Sequence, residues 1–205
     1  MRESSEVELK YLVDDDKDLE RFQAELSGFE GELQQENIYL DQAGLLRASG
    51  CLFRIRIENG VGVVTLKLSG GLDGGIAKSV EFSGDLDSDS LRLIRQGDFL
   101  QALNGSSCLE KAEAVCGSSL IAISEWGRIQ NQRRLYRLEQ GWLIEVDRAL
   151  YPGGLIRREV ELESDDPQAA RKIIEPIFKK SGVSWQWAKE SKSSQLFRIL
   201  DSAGE

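Results

Sequence analysis

CLFRIRIENGVGVVTLKL, residues 51–68, contains two runs of alternating residues around a central Asn59-Gly60 pair. Apolar side chains alternate with charged or small ones over 51–59 and over 62–68, which is the period of a half-buried strand. Asn-Gly favours a two-residue turn between antiparallel strands, because both turn positions need a positive φ. The segment therefore predicts a β-hairpin.

Each strand of this hairpin carries polar side chains on one face. Arg54 and Arg56 share a face of the first strand, and Thr65 and Lys67 share a face of the second, while the residues between them are apolar. Side chains two apart in a strand point to the same side of the sheet. The hairpin therefore has one apolar face for a core and one basic face.

The same reading extends over the rest of the chain. Further strands are predicted over 6–13, 38–40, 77–82, 119–138, 142–151 and 155–163, the fourth bent or broken near Trp126-Gly127. Helices are predicted over 16–26, 166–180 and 192–200, with one or two more within 85–116, and residues 70–75 form a glycine-rich connection. The elements predict an α+β, mainly antiparallel architecture in a single domain over 1–205; periodicity alone leaves open whether the sheet closes.

The composition excludes several classes of chemistry. The chain has no histidine, so Ser-His-Asp catalysis and imidazole metal sites are excluded, and any metal would have oxygen ligands, as Mg²⁺, Mn²⁺ and Ca²⁺ prefer. A net charge of −9 argues against non-specific binding of nucleic acid. Three cysteines without a CxxC pair, a polar N-terminus and no long apolar run indicate a protein of the reducing cytoplasm, without a membrane span.

The charges are segregated by strand. Glu145 and Asp147 form a carboxylate pair, Glu159, Glu161 and Glu163 form an acidic stripe, and other strands carry basic groups. A solvated sheet face would explain any one of these strands, but such a face usually mixes the two signs. Carboxylates that hold divalent cations beside basic groups that hold phosphate would make the segregation favourable. We therefore favour a site for phosphoryl chemistry.

Glu6-Val7-Glu8-Leu9-Lys10 resembles the ExExK signature of the CYTH superfamily, the triphosphate tunnel metalloenzymes. Other segments match the family's motifs in order along the chain: Asn37-Ile38-Tyr39-Leu40-Asp41, Arg54-Ile55-Arg56, Thr65-Leu66-Lys67, Glu81, Asn131-Gln132-Arg133, Glu145-Val146-Asp147, Glu159-Val160-Glu161 and Glu190-Ser191-Lys192-Ser193. The resemblance covers nearly the whole chain. It departs at the C-terminal lysine, which plant-type members follow with a bulky aromatic and this chain with serines.

The resemblance implies an eight-stranded closed β-barrel whose charged faces point into a tunnel. It implies that Mg²⁺ or Mn²⁺ is bound, and that a small-molecule triphosphate is hydrolysed by a monomer or homodimer. The metal ligands implied are Glu6, Glu8, Asp147, Glu159 and Glu161. The residues implied to hold the triphosphate are Lys10, Arg54, Arg56, Lys67 and Arg133. Glu6 is expected to activate the attacking water, and Lys192, expected near the tunnel mouth, to assist at the phosphate.

Several activities remain open at this point. Inorganic triphosphate is the simplest substrate, because every matched basic residue would contact phosphate. A thiamine triphosphatase would need an aromatic platform, which one of four tryptophans could supply, and a class IV adenylyl cyclase would need contacts to adenine. A non-catalytic sensor of polyphosphate or nucleotide would keep the basic residues and could lose carboxylates. The retained acidic positions favour an enzyme.

Overall fold

The protein is built on an antiparallel sheet that closes on itself. The computed structural model describes residues 1–203. Within this range the strands are β1 (Arg2–Val13), β2 (Phe29–Asp41), β3 (Cys51–Glu58), β4 (Val61–Asp73), β5 (Ile76–Leu86), β6 (Ser124–Arg137), β7 (Leu143–Leu150), β8 (Ile156–Glu163) and β9 (Trp185–Trp187). Neighbours pair in the order β5-β4-β3-β2-β6-β7-β8-β1, and β1 also pairs with β5. This last pairing closes an eight-stranded barrel, which confirms the predicted fold class.

The short strand β9 lies outside the closed ring. It pairs with residues 11–13 of β1, beyond the part of β1 that pairs with β5. The helices in residues 1–203 are α1 (Asp16–Ala24), α2 (Leu45–Ala48), α3 (Ser88–Arg95), α4 (Phe99–Leu103), α5 (Ser107–Cys116), α6 (Pro167–Ser181) and α7 (Lys192–Ala203). None of them is both long and apolar enough to cross a membrane.

The apolar side chains of the barrel strands point outward, against the helices. On one side, Phe53 and Ile55 of β3 and Leu66 of β4 pack with residues of α2 to α5. On the other side, Leu9 and Tyr11 of β1 pack with residues of α1 and α6. Each fully buried side chain of this size contributes about 1.5–3 kcal/mol to folding. Because the outer face is the core, the alternate polar positions must line the inside of the barrel.

The predicted hairpin is confirmed in its details. Residues 51–58 pair with 61–68, and Asn59 (φ 49°) and Gly60 (φ 83°) both lie in the left-handed region. The glycine-rich residues 70–75, expected to be a flexible connection, instead extend β4 and β5 and turn at Gly74-Gly75. At Gly75 a Cβ would lie 1.9 Å from the ring of Trp187, so this turn packs directly on β9.

Two other boundaries differ from those predicted. Strand β2 is much longer than the predicted 38–40. The prediction missed its N-terminal half because residues 30–36 carry mostly polar side chains on both faces and show no apolar alternation. Strand β6 is irregular near the predicted bend: Tyr39 pairs with Gly127 and Leu40 with Glu125, so Trp126 is the extra residue of a bulge. Residues 85–116 contain three helices rather than one or two.

Candidate active site

The ExExK strand turns its charged residues into the barrel. Leu9 and Tyr11 are buried in the outer core, so Glu6, Glu8 and Lys10 occupy the inward positions of β1. The Lys10 ammonium donates to Glu161 Oε1 at 2.6 Å and also contacts Glu8. Burial alone would lower the pKa of Lys10, but these carboxylates raise it above its usual value. Lys10 therefore remains a cation in the tunnel wall.

Arg133 on β6 is held by carboxylates from β7 and β8. Its Nε and Nη2 donate to Asp147 Oδ1 and Oδ2 at 2.7 and 2.6 Å, and Nη2 also donates to Glu161 Oε2 at 2.9 Å. A further carboxylate, Glu145, contacts Nη1. Although burial favours the neutral acid, Arg133 and Lys192 lower the pKa of Asp147 to about 2. This bidentate pair is the strongest kind of ion pair available to an arginine.

Lys192, the first residue of α7, reaches into the same cluster. Its Nζ lies 2.8 Å from Asp147 Oδ2, 2.6 Å from Glu159 Oε2 and 2.8 Å from Glu161 Oε1. Helix α7 is docked by Leu196, which lies against Gly127 of β6; a Cβ there would be 2.8 Å from Leu196 Cδ2. The Lys192 ammonium is therefore placed among the carboxylates of β7 and β8.

Lys67 on β4 links Glu6 with Glu81 of β5. Its ammonium lies 3.1 Å from Glu6 Oε2 and 2.5 Å from Glu81 Oε1, and 3.7 Å from Glu8 Oε1. Burial raises the pKa of Glu6 to about 8; Lys67 opposes this shift and Glu81 adds to it. Glu6 is thus a carboxylate with a high proton affinity in the metal-free tunnel.

Arg54 and Arg56 differ from the other cations of the tunnel. Arg54 has a buried Nε without a hydrogen-bond partner, and Arg56 donates its Nε to Asn37 Oδ1 at 3.0 Å. Burial, together with Arg54 and Arg133, lowers the pKa of Arg56 to about 10. The ion pairs formed by tunnel cations in residues 1–203 involve Lys10, Lys67, Arg133, Arg157 and Lys192, and leave these two arginines out.

A cavity of about 290 Å³ lies in front of the two arginines. It is lined by Arg54, Arg56, Glu58, Val61, Val63, Thr65, Glu81 and Ser83. All are at inward positions of β3, β4 and β5, which alternate with the buried apolar residues of the outer core. The cavity offers space and positive charge for an anion.

The carboxylates have the chemistry that a divalent cation requires. Glu8 Oε2 and Glu159 Oε2 are both buried, and they contact the ammonium groups of Lys10 and Lys192 respectively without hydrogen-bond geometry. Oxygen donors of this kind suit Mg²⁺ and Mn²⁺. Within residues 1–203 no three carboxylates are already arranged as ligands of one metal ion. The ammonium groups of Lys10 and Lys192 lie between them. These carboxylate oxygens fit a divalent cation if the two ammonium groups move out of contact with them.

The structure brings every predicted site residue into one barrel interior. The inward charged residues that were missing from the predicted set include Glu81, Glu145 and Arg157. Arg157 is buried, donates to Glu159 Oε1 at 2.7 Å, and also holds Glu190 O and Gln195 Oε1. Its position two residues before Glu159 in β8 was a signal that could have revealed it, since both residues share a face.

The four tryptophans lie away from the arginine cavity. Trp185 and Trp187 pack on Tyr11 of the outer core, with ring centroids 4.9 and 4.5 Å from it, and Trp142 packs against the same core cluster. Trp126 packs against Tyr39 and against Phe197 of α7. Each tryptophan therefore has a packing role, and none lines the cavity.

A family model described as the CYTH domain matches residues 4–186. No curated protein matches the chain in a sequence search. Among solved structures, HpAC1 from Hippeastrum, described as a candidate adenylyl cyclase that reveals a dominant triphosphatase activity, superposes with a TM-score of 0.86 at 22% identity, covering 94% of this chain and 95% of that one.

Two further solved structures share the fold. A protein of Bacillus halodurans described as a candidate adenylate cyclase has a TM-score of 0.71 at 21% identity, over 94% of this chain and 98% of that one. PH1819 of Pyrococcus horikoshii has a TM-score of 0.62 at 20% identity, over 95% and 99% of the two chains. At these identities the likeness establishes the architecture.

Proposed function

This chain belongs to the CYTH domain family, and from that premise we propose that it is a metal-dependent hydrolase that cleaves inorganic triphosphate to diphosphate and phosphate inside the barrel. The observation that carries the proposal is the pair Arg54 and Arg56, two cations without carboxylate partners beside a cavity of about 290 Å³. Buried guanidinium groups left without an anion are costly, and a bound phosphate chain would offset that cost.

The opposite wall of the tunnel supplies the groups for a cation. Glu8, Asp147, Glu159 and Glu161, with Glu6 close by, would hold Mg²⁺ or Mn²⁺. The cation, when bound, would neutralise charge on the phosphate oxygens and lower the pKa of a water molecule. A phosphate chain between the arginines and the carboxylates would then meet charge of the required sign on both sides.

The chain's own residues would bind and orient the substrate. Arg54 and Arg56 would grip the phosphate oxygens with guanidinium groups, and Lys10, Lys67 and Arg133 would add positive charge around the same path. Glu6, which lies beside Lys67 at the edge of the carboxylate group, is the residue that we expect to take the proton of the attacking water. Water then forms a bond to the terminal phosphorus, the phosphoanhydride bond breaks, and diphosphate leaves with the electron pair. Lys192 stands next to this path and would donate to a departing or attacked phosphate oxygen.

The lining of the cavity supports inorganic triphosphate over larger substrates. Thiamine or adenine would gain from an aromatic surface at the entrance, yet the cavity is lined by arginine, valine and small polar residues. The tryptophans that the sequence offered as a platform are engaged in packing elsewhere. A substrate that consists of phosphate alone uses every charged group and needs no such surface.

The test is phosphate release by the purified protein from inorganic triphosphate, thiamine triphosphate and ATP, each with Mg²⁺, with Mn²⁺ and with excess chelator. We expect chelator-sensitive turnover with a strong preference for inorganic triphosphate. Preferred release of phosphate from thiamine triphosphate, or formation of cyclic AMP and diphosphate from ATP, would overturn the substrate assignment. Tight triphosphate binding without turnover of any substrate would indicate a sensor.

A further inference from the structure

The ammonium of Lys192 sits at the centre of three buried carboxylates. Asp147 and Glu159 have side chains with no exposed surface, and that of Glu161 is 7% exposed. Each directs one oxygen at Lys192 Nζ, at 2.8, 2.6 and 2.8 Å respectively. The carboxylates raise the pKa of Lys192 well above its usual value despite its burial. Two of these oxygens also contact a second cation, since Lys10 Nζ lies 2.6 Å from the same Glu161 Oε1 and Arg133 Nη2 lies 2.6 Å from the same Asp147 Oδ2.

Two arginines also hold oxygens of this cluster. Arg133 holds both oxygens of Asp147 and the Oε2 of Glu161, and Arg157 holds the Oε1 of Glu159. These contacts keep the three carboxylates in place when Lys192 moves. The oxygens that face Lys192 would then remain arranged around the space that its ammonium fills.

We propose that the Lys192 ammonium and a divalent cation compete for the site formed by Asp147, Glu159 and Glu161. This inference deepens the proposed function by adding a determinant of metal affinity to the same site. The two cations exclude one another, because both would occupy the same point between the same three oxygen atoms. Binding of the metal therefore expels Lys192, and Lys192 sets how much metal is needed.

The anchoring of α7 permits this exchange without undocking the helix. Arg157 holds the carbonyl of Glu190 at 2.9 Å, and Leu196 packs fully buried against β6 near Gly127. One contact precedes Lys192 in the chain and the other follows it, and neither involves its ammonium. Because lysine has a flexible four-carbon stem, its ammonium would leave the cluster by rotation of side-chain bonds alone.

Mn²⁺ binding, measured by calorimetry in the absence of triphosphate, tests the proposal. Lys192→Gln removes the competing charge and should bind Mn²⁺ about 10-fold more tightly than the unmodified protein, comparable to effects of neighbouring groups at other metal sites. Lys192→Arg keeps the charge on a larger, forked group and should bind Mn²⁺ more weakly. Lys189→Gln, the same change at an exposed position three residues away, should leave the affinity unchanged. Equal affinities in all four proteins, or weaker binding by Lys192→Gln, would overturn the proposal.

A second measurement uses the unmodified protein and so does not depend on the folding of a variant. Lys192 has a side chain 17% exposed and should be acylated slowly by an amine-reactive reagent, with the rate read by mass spectrometry. Mn²⁺ should raise the rate at Lys192 several-fold and leave exposed Lys189 unaffected as the internal standard. An unchanged or reduced rate at Lys192 in the presence of saturating Mn²⁺ would contradict its expulsion. Because neither measurement uses a substrate, a failure of triphosphate turnover would refute the proposed hydrolase while leaving this competition to be judged separately.

Discussion

The two sides of the tunnel contain similar charged residues in different electrostatic states. On the β6 to β8 side, Arg133 is saturated by Asp147 and Glu161. On the β3 side, Arg54 and Arg56 have room in front of them and no carboxylate in contact among residues 1–203. The first arrangement stabilises the metal-free fold and presents oxygens to a cation; the second leaves positive charge for an anion. Arginines that look alike in sequence therefore lie in different electrostatic surroundings.

The largest expected effect separates catalysis from binding. Glu8→Gln removes an inward carboxylate but leaves Arg54 and Arg56 intact, so turnover of inorganic triphosphate should fall by about 1,000-fold or more. Triphosphate affinity, measured by calorimetry, should fall far less. Glu3→Gln on the same strand, at an exposed position, is the matched control and should keep full activity. Comparable activity of Glu8→Gln and Glu3→Gln would show that Glu8 is not needed for catalysis.

Stability should distinguish the paired arginine from the unpaired one. Arg133→Gln leaves Asp147 and Glu161 buried with one partner fewer, and should lower the free energy of unfolding by about 3–5 kcal/mol. Arg56→Gln removes a cation whose burial is already unfavourable, as its lowered pKa shows, and should change stability by less than about 1 kcal/mol. Urea denaturation without metal measures both. Equal losses would mean that the two sides of the tunnel do not differ as described.

The pH dependence of stability provides a third comparison. Burial raises the pKa of Glu6 to about 8 and that of Glu145 to about 7, against about 4.5 when unfolded. The folded protein then holds more protons than the unfolded chain between pH 5 and 8, so stability decreases as pH rises through this range. Between pH 6 and 8 the protein without metal should lose at most about 3–4 kcal/mol, because each of the two groups contributes up to about 1.4 kcal/mol per pH unit below its folded pKa and solvent screening reduces this.

Urea denaturation of the chelated protein at several pH values measures this slope. Glu8, Asp147 and Glu161 have lowered pKa values, so their contributions are complete above about pH 4.5 and do not alter the slope. Glu6→Gln should flatten the decrease between pH 6 and 8. Stability that rises with pH in this range would show that Glu6 and Glu145 are ionised in the folded protein.

The smallest effect concerns how an unpaired arginine is held in place. Asn37 accepts a hydrogen bond from Arg56 Nε at 3.0 Å, which leaves both terminal nitrogens of Arg56 for phosphate. Asn37→Ala should raise KM for inorganic triphosphate about five-fold, the equivalent of one hydrogen bond, with little change in kcat. Asn104→Ala at an exposed position serves as the control. A change confined to kcat would show that Asn37 acts elsewhere.

Much of the site was predictable because strands have a strict period of two. Glu6, Glu8 and Lys10 share one face whatever the sheet does, and the same holds for Arg54 and Arg56. The period also identified the outer apolar residues, such as Phe53 and Ile55, now buried against helices. The period of two did not predict the first half of β2, where polar residues occupy both faces. It also did not predict that β4 and β5 continue into residues 70–75, because glycines have no side chain to show an alternation.

The sequence by itself determined which side chains share a face, where the Asn59-Gly60 hairpin turns and, through its motifs, the family. Only the tertiary structure decided that the charged face is the inside of a closed ring, because alternation distinguishes two faces but cannot tell solvent from a tunnel. It also decided which cations have a carboxylate partner. Lys192 of α7 lies among carboxylates of β7 and β8, whereas Arg54 and Arg56 contact no carboxylate among residues 1–203. The reason is distance along the chain: Lys192 and Asp147 are 45 residues apart, and only closure of the barrel and docking of α7 bring them within 2.8 Å.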